Sequence, residues 1–134
     1  MIEIQKKYHF YAAHRNKAGG EKCGRIHGHT YNIVCHFNTG SINEGGVTIL
    51  FSDIDAIVEP IIKSHCHWLL LYKKDPLVEV LSLINEPYKE MEFETSAENL
   101  CIYFFILIKN AGLPITKIEL GETLSSNVIY EQIS

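Results

Sequence analysis

The chain has 134 residues, of which 46% are hydrophobic and 21% are charged, and its formal net charge is -4. This composition predicts one globular domain over residues 1–134 and excludes a largely disordered chain. Because there is no basic patch, nucleic acid is not an expected partner. The longest apolar run, 101–108, is too short for a bilayer, and the first residues do not resemble an export signal. Together with four scattered cysteines, these features predict a cytoplasmic protein with free thiols and no membrane partner.

The first third of the chain predicts two strands that flank a polar loop. Apolar and polar residues alternate from Ile2, which predicts a strand that ends near His14. Residues 16–22 are polar and contain glycine, as loops do. The β-branched and aromatic segment 30–37 predicts a second strand, and 39–46 has the composition of a turn.

A helix should follow this pair of strands. Val47–Phe51 predicts a short extended segment. Ser52 or Asp53 is a suitable N-cap for a helix that continues to residue 64. Pro60 lies inside this helical pattern. Because proline lacks a backbone N–H, the helix should be kinked or should begin late.

The second half of the chain should contain two more helices and the remaining strands. In chain order we expect a helix at 77–84, an extended segment at 92–95, a helix at 97–110 and strands at 115–120 and 127–133. Ser96 caps the longer helix, which is apolar nearly all round and should be buried on several sides. The predicted class is α+β, in the order β-β-α-α-β-β, with an antiparallel sheet and helices on one face. The open edges of such a sheet favour oligomerisation.

Three histidines form a candidate metal site. His27 and His29 are two residues apart, so both rings point to one face if this segment is extended. His14, at the end of the first predicted strand, supplies a third imidazole. Three imidazoles leave the fourth position of a zinc ion open, as in catalytic zinc sites. Cys23 lies four residues before His27 and adds a thiol to this candidate reaction centre.

Five short motifs occur in a fixed order along the chain. They are Phe10-Tyr11-Ala12-Ala13-His14, Cys23 to His29, Phe51-Ser52-Asp53-Ile54, Ser96-Ala97-Glu98-Asn99-Leu100, and Glu122-Thr123 followed by Tyr130. In these motifs, over nearly its whole length, the chain resembles the 6-pyruvoyl-tetrahydropterin synthase / 6-carboxytetrahydropterin synthase (QueD) family. Each motif alone is modest, but their order and spacing are specific. The resemblance implies the tunnelling fold (T-fold), an oligomeric barrel, and a homohexamer built as a dimer of trimers with active sites between subunits.

The resemblance also implies which residues bind the metal and start the chemistry. His14, His27 and His29 would bind Zn²⁺. Cys23 would be the base that removes a proton from the side chain of the substrate. It must be a thiolate for this role, and a nearby positive charge favours the thiolate form of a cysteine.

His67 and Glu122 complete the implied site. His67 would be the partner acid/base, a role that an imidazole suits near neutral pH. Glu122 would anchor the pterin ring, because a carboxylate can accept two parallel N–H bonds. The implied substrate is 7,8-dihydroneopterin triphosphate, which loses triphosphate. The other product would be 6-carboxy-5,6,7,8-tetrahydropterin, formed with acetaldehyde on the route to queuosine, or 6-pyruvoyl-tetrahydropterin.

One departure from the family bears directly on turnover. The family has Asp-His where this chain has Cys66-His67, so the acid that would orient the His67 ring is absent. His65, or a carboxylate from elsewhere in the fold, is a candidate replacement. The alternative function is therefore a pterin- or purine-binding T-fold protein with weak or no turnover, because the usual catalytic Asp is Cys66. A zinc-binding barrel of unrelated chemistry is a third hypothesis.

Overall fold

The structure, a computed structural model, describes residues 2–132. The strands are β1 (Ile2–His14), β2 (His27–Gly40), β3 (Trp68–Tyr72), β4 (Lys89–Met91), β5 (Ile115–Thr123) and β6 (Ser126–Glu131). The helices are α1 (Phe51–Lys63), α2 (Leu77–Leu83) and α3 (Ala97–Asn110), and a 3₁₀ turn covers Lys17–Gly19. The strands form one sheet in the order β4-β3-β1-β2-β5-β6, so the long β1–β2 pair lies at its centre.

The β1–β2 pair sets the position of the candidate site. The two strands are antiparallel, and Ala12 pairs with His29 while His14 pairs with His27. Side chains alternate between the two faces of a strand. His14, His27 and His29 therefore emerge on one face of the sheet, at the same end of the strand pair. This is also the face that carries the hydrophobic core.

The core lies between the sheet and the helices α1 and α3. The largest side chains that β1 and β2 contribute to it are at most 1% exposed, namely Phe10, Tyr31, Ile33 and Phe37. Burial of each such side chain stabilises the fold by about 1.5–3 kcal/mol. Ser96 caps α3 by accepting a hydrogen bond from the Asn99 backbone N–H at 3.2 Å, as predicted. No helix within residues 2–132 is long and apolar enough to cross a membrane.

The sheet is mixed rather than antiparallel, so this part of the fold prediction is wrong. β3 pairs with β1, and β4 pairs with β3, in the parallel direction. The sequence pattern does not predict β3, because the apolar run 69–71 lacks the alternation of a half-buried strand. The observed order is β-β-α-β-α-β-α-β-β instead of β-β-α-α-β-β. The α+β class is confirmed.

Helix α1 begins earlier than expected. Its first residue is Phe51, and its N-cap Leu50 makes no side-chain hydrogen bond, so neither Ser52 nor Asp53 caps it. Within the described chain, the segment before α1 is not a strand. Pro60 is accommodated in the last turn of the helix, near its C-terminus. The helix therefore does not begin late to avoid the proline.

Other strand boundaries differ from the predictions by a few residues. β2 extends beyond the predicted 30–37 at both ends, and β5 continues past residue 120. The extended segment expected at 92–95 lies just after β4. Ile133, the last residue expected in the final strand, lies outside the described residues. None of these differences moves the end of the β1–β2 pair at which the histidines lie.

Candidate functional site

Four side chains converge where β1 ends, β2 begins and β5 finishes. His14, His27, His29 and Glu122 each offer one nitrogen or oxygen atom, and all these atoms lie within 4.8 Å of one another. The three imidazole rings lie with their centroids 4.7–5.1 Å apart. The structure therefore brings the three predicted metal ligands together. It also places the Glu122 carboxylate next to them, a residue that the family resemblance implies as the pterin anchor and not as a neighbour of the ring nitrogens.

Backbone carbonyls fix the orientation of two of the rings. The Nδ1 atom of His14 lies 2.5 Å from the Thr95 carbonyl oxygen, and that of His27 lies 2.7 Å from the Arg25 carbonyl oxygen. A carbonyl only accepts, so in each ring Nδ1–H donates, and the Nε2 atom of a neutral ring held in this way is the one that can bind a metal. Histidines that bind metals are commonly held in this way.

Glu122 lies close to two rings without forming well-directed hydrogen bonds to them. Its Oε2 atom is 2.6 Å from His29 Nε2 and 3.3 Å from His14 Nε2. Both nitrogen atoms are buried and have no hydrogen-bond partner among the described residues. These nitrogen and oxygen atoms therefore lie close together but do not pair with one another through hydrogen bonds. Buried, unpartnered donor atoms of this kind fit a cation.

The charge states around this centre also suit a divalent cation. Contact with His14 and the charges of the neighbouring histidines hold the pKa of the Glu122 carboxyl below its ordinary value, while burial acts in the opposite direction. Burial lowers the pKa of His29, and the charge of Glu122 opposes that shift. An ionised carboxylate and neutral imidazoles are the forms in which these groups bind zinc.

Tyr31 is a neighbour of the cluster that the sequence analysis misses. It is fully buried, with its ring centroid 5.5 Å from that of His29 and 5.9 Å from that of His14. Its hydroxyl has no hydrogen-bond partner among the described residues. Burial, and then the charge of Glu122, raise the pKa of this phenol, so it stays neutral. Its place two residues after His29 in a strand is the signal that predicts its orientation.

A partly buried ion pair supports the end of β1 behind His14. The Arg15 guanidinium binds both carboxylate oxygens of Asp75, and Asp75 also accepts a bond from the Leu77 backbone N–H at 2.8 Å. The Arg15 carbonyl accepts a bond from the Thr95 hydroxyl at 3.3 Å. Arg15 holds the pKa of the Asp75 carboxyl below its usual range. These contacts tie the segments after β1, after β3 and before α3 to one another.

Cys23 lies outside the four-residue cluster. It is exposed in the loop between β1 and β2, and its backbone carbonyl accepts a bond from the Asn16 N–H at 2.7 Å. In the same loop Arg25 and Glu21 form an exposed ion pair at 3.0 Å. All four cysteines of the chain are free thiols, as expected. The predicted base is therefore accessible from solvent and is held on a surface loop.

His67 lies on the other side of the sheet from the metal-ligand cluster. Its backbone N–H donates to the Tyr11 carbonyl at 2.6 Å, and its ring stacks on the Tyr11 ring at 5.8 Å. Tyr11 alternates along β1 with the core residues Phe10 and Ala12, so its side chain points away from the core. A groove of about 880 Å³ follows this face. Within a single chain, His67 and the cluster around His14 therefore lie on opposite faces of the sheet.

The lining of this groove combines aromatic and small side chains. It includes Tyr11, Thr30, Cys66, His67, Trp68 and Glu86, and it also touches His29. His65 does not replace the missing acid, because its two ring nitrogens bind the Tyr103 hydroxyl and the Ile61 carbonyl, each at 2.8 Å. Burial lowers the pKa of His65 to about 4. This ring is therefore a neutral part of the core.

Comparison with known proteins identifies what this arrangement is similar to. The family model described as 6-pyruvoyl tetrahydropterin synthase matches residues 3–132. The 6-carboxy-5,6,7,8-tetrahydropterin synthase of Haemophilus influenzae is 27% identical, with 98% of this chain and 100% of that protein covered. The protein of the same name from Synechocystis sp. is 30% identical, with 97% of this chain and 93% of that protein covered.

A solved structure shows the same fold. The 6-pyruvoyl tetrahydropterin synthase of Caenorhabditis elegans superposes with a TM-score of 0.74 at 20% identity, and the match covers 98% of this chain and 96% of that one. The shared architecture is a mixed sheet curved into a half-barrel with three helices, which is the T-fold. The T-fold prediction is therefore confirmed.

Proposed function

Because the chain belongs to the 6-pyruvoyl tetrahydropterin synthase family, we propose that it is a zinc-dependent lyase acting on 7,8-dihydroneopterin triphosphate. The observation that carries the proposal is the convergence of three imidazoles and a carboxylate within 4.8 Å. The proposed reaction consumes one water molecule and gives triphosphate, acetaldehyde and 6-carboxy-5,6,7,8-tetrahydropterin, in preference to 6-pyruvoyl-tetrahydropterin, because the relatives above are named for the carboxy product. We place the reaction in the cytoplasm, as the free thiols suggest.

His14, His27 and His29 are proposed to hold the zinc. Their buried Nε2 atoms, and the carbonyls that hold the opposite ring nitrogens of His14 and His27, support this assignment. When bound, zinc supplies a Lewis acid that acidifies a hydroxyl group and the adjacent C–H bond of the substrate side chain. The role of the protein here is to hold the three rings in place.

Cys23 and His67 are proposed to move the protons. Cys23 as a thiolate takes a proton from a carbon of the substrate side chain, and His67 exchanges a proton with a side-chain hydroxyl. The two residues lie on a surface loop and on the face opposite the cluster, respectively. A complete site therefore needs a second copy of the chain, and we propose a homohexamer made of two trimers in which neighbouring copies combine these groups.

Glu122 is proposed to anchor the pterin ring. Its side chain is 26% exposed, so a ligand can reach it, and its lowered pKa keeps it ionised. An ionised carboxylate accepts two parallel N–H bonds, as the 2-amino group and N3–H of a pterin present them. The half-buried position strengthens these bonds relative to bonds at a fully exposed site.

The direct test is incubation of the purified, zinc-loaded protein with 7,8-dihydroneopterin triphosphate. We expect release of triphosphate and a product with the mass of 6-carboxy-5,6,7,8-tetrahydropterin. Tight binding of the pterin without turnover would instead support the pterin-binding alternative. A protein that binds zinc but no pterin would support unrelated chemistry.

A second test addresses the missing acid at position 66. Restoring it with Cys66→Asp gives His67 a carboxylate neighbour that can fix its tautomer, so we expect the turnover rate to rise by about tenfold or more. Cys66→Asn is the matched control, since it has the same size without the charge. Thermal unfolding of both variants checks that the half-buried position tolerates the change. An unchanged rate in a folded Cys66→Asp protein would show that His67 is not limited by its orientation.

A further inference from the structure

The backbone of His67 has a conformation that residues other than glycine rarely adopt. Its φ is 66°, in the left-handed region, where the chain leaves the turn after α1 and enters β3. Such strain persists only where neighbouring contacts hold the residue in place, and it is concentrated at functional positions. One of these contacts is with Tyr11, whose carbonyl oxygen accepts the His67 N–H at 2.6 Å. The parallel pairing of β1 with β3 begins at the next residues, Ala12 and Trp68.

Tyr11 also holds the imidazole of His67. The two rings stack with their centroids 5.8 Å apart and their planes at 27° to each other. Aromatic pairs at this separation attract one another by more than the burial of their surface. Within residues 2–132, this stacking is the one side-chain interaction that the structure gives the His67 ring. Cys66, the residue before His67, carries a thiol, which is only a weak hydrogen-bond partner.

The position of Tyr11 suits it to hold another ring. It lies inside the long strand β1 and pairs with Thr30 of β2, so its backbone is fixed. It lines the groove instead of the core and is 47% exposed. The His9 ring contacts it edge-on, with the centroids 5.7 Å apart and the planes at 75°. Packing of the core therefore does not explain an aromatic side chain here, whereas the stacking on His67 does.

We propose that Tyr11 is a positioning residue for His67, and that ring stacking takes the place of the orienting carboxylate that is absent at position 66. The inference rests on the proposed function, in which His67 exchanges a proton with a hydroxyl of the substrate. His67 is exposed, so without the Tyr11 ring its imidazole is free to turn about its side-chain bonds. A proton is transferred efficiently only from a group held in the right direction.

Stacking and a carboxylate constrain an imidazole in different ways. A stacked neighbour fixes the plane of the imidazole, and with it the directions in which the two ring nitrogens point. It does not select the nitrogen that carries the proton, because both tautomers present the same faces. A carboxylate also selects the tautomer, through the hydrogen bond that it accepts. Tyr11 therefore sets the orientation of His67, and Cys66→Asp would add control of its tautomer.

The experiment compares Tyr11→Leu, which removes the aromatic ring, with Tyr11→Phe, which keeps it. With 7,8-dihydroneopterin triphosphate we expect kcat to fall by about two- to tenfold in Tyr11→Leu, as loss of one aromatic pair predicts. KM should stay unchanged, because the orientation of a proton-exchanging group affects the reaction step and not the binding of substrate. Tyr11→Phe should keep the wild-type rate. His9→Leu, on the same face of β1, is the matched control and should also keep it.

Crystal structures of the pterin-free proteins provide a second measurement that does not depend on activity. The wild type and Tyr11→Phe should show one orientation of the His67 imidazole, and Tyr11→Leu should show more than one. Urea denaturation checks that each variant is folded. If Tyr11→Leu does not fold, Tyr11→Val takes its place, because a β-branched side chain suits a strand.

The outcomes separate this inference from the proposed function. A Tyr11→Leu protein with the wild-type rate and an unchanged, single orientation of the His67 ring would overturn the inference and leave the proposed function intact. A raised KM at unchanged kcat would also overturn it, because Tyr11 would then bind substrate instead of positioning His67. If the wild type itself has no turnover, the proposed function fails, and the ring orientations in the crystal structures decide whether Tyr11 holds His67.

Discussion

The strands β1, β2 and β5 carry a histidine–glutamate cluster on each face of the sheet, and the two clusters differ in geometry. On the core face, His14, His27 and His29 meet Glu122 around one centre. On the opposite face a single ring, His36, lies between two carboxylates. Its Nδ1 is 3.2 Å from Glu3 Oε1 and its Nε2 is 2.6 Å from Glu119 Oε2.

Similar residues on the same strands are therefore arranged in two different ways. Around His36 the carboxylates lie on opposite sides of one ring, so the ring links β1 to β5 across β2 and no common point exists for an ion. Around His29 two ring nitrogens lie near one carboxylate oxygen and the His27 ring is close by, so all four ligand atoms can reach a single cation. Within residues 2–132, only this second arrangement brings three or more such donors within 4.8 Å. Convergence, and not the residue types, distinguishes this candidate metal site from the contacts of His36.

The largest expected effect comes from removing one converging ring. We expect His27→Gln to lose bound zinc and to lower turnover by about three orders of magnitude, because a metal ion contributes several kcal/mol of charge stabilisation. His36→Gln makes the same chemical change on the other face and should keep its zinc. Metal analysis of the purified proteins and triphosphate release provide the measurements. Equal zinc loss in both variants would mean that unfolding, and not the loss of a ligand, explains the result.

A smaller effect on stability is expected from the His36 cluster. His36→Leu leaves the carboxylate of Glu119 without its partner in a place where that side chain is only 23% exposed. We expect the free energy of unfolding to fall by about 1–3 kcal/mol in urea denaturation, the usual cost of an unsatisfied, partly buried polar group. His9→Leu, at an exposed position of β1, is the matched control and should change stability by less than about 0.5 kcal/mol. Similar losses in the two variants would show that the carboxylate contacts do not matter.

The two clusters also show which features of the structure can be predicted from the sequence alone. The strand β1 and the helix α3 are predicted correctly, because alternation and the Ser96 cap are local signals. The spacing of His27 and His29 predicts two rings on one face for the same reason. The direction of Glu122 is not predictable in this way, because it depends on a bulge and on the pairing of β5 with β6. The contacts of His36 cannot be predicted either, because Glu3 and Glu119 are far from it in the sequence.

The parallel part of the sheet escapes prediction for a related reason. The segment 69–71 is uniformly apolar, and only its position between β1 and β4 makes it a strand. Its placement carries His67 to the face opposite His14, a relation that no spacing in the sequence reveals. Local signals thus predict that the histidines lie on one face, whereas the relation between this candidate metal site and the proposed acid/base depends on tertiary structure.

The smallest expected effect separates the two carboxylates of His36 from each other. Glu3 is 48% exposed and lies farther from the ring than Glu119, so solvent screens its contact and Glu3→Gln should cost less than about 0.5 kcal/mol. Contact with Gln5, and more weakly with His36, lowers the pKa of the Glu3 carboxyl from its ordinary value of 4.5. Its contribution to stability is therefore present above pH 4.5 and is lost as the pH falls further. Urea denaturation at neutral and acidic pH should show a small difference between wild type and variant that vanishes in acid. A loss as large as that of His36→Leu would mean that Glu3, despite its exposure, holds the ring.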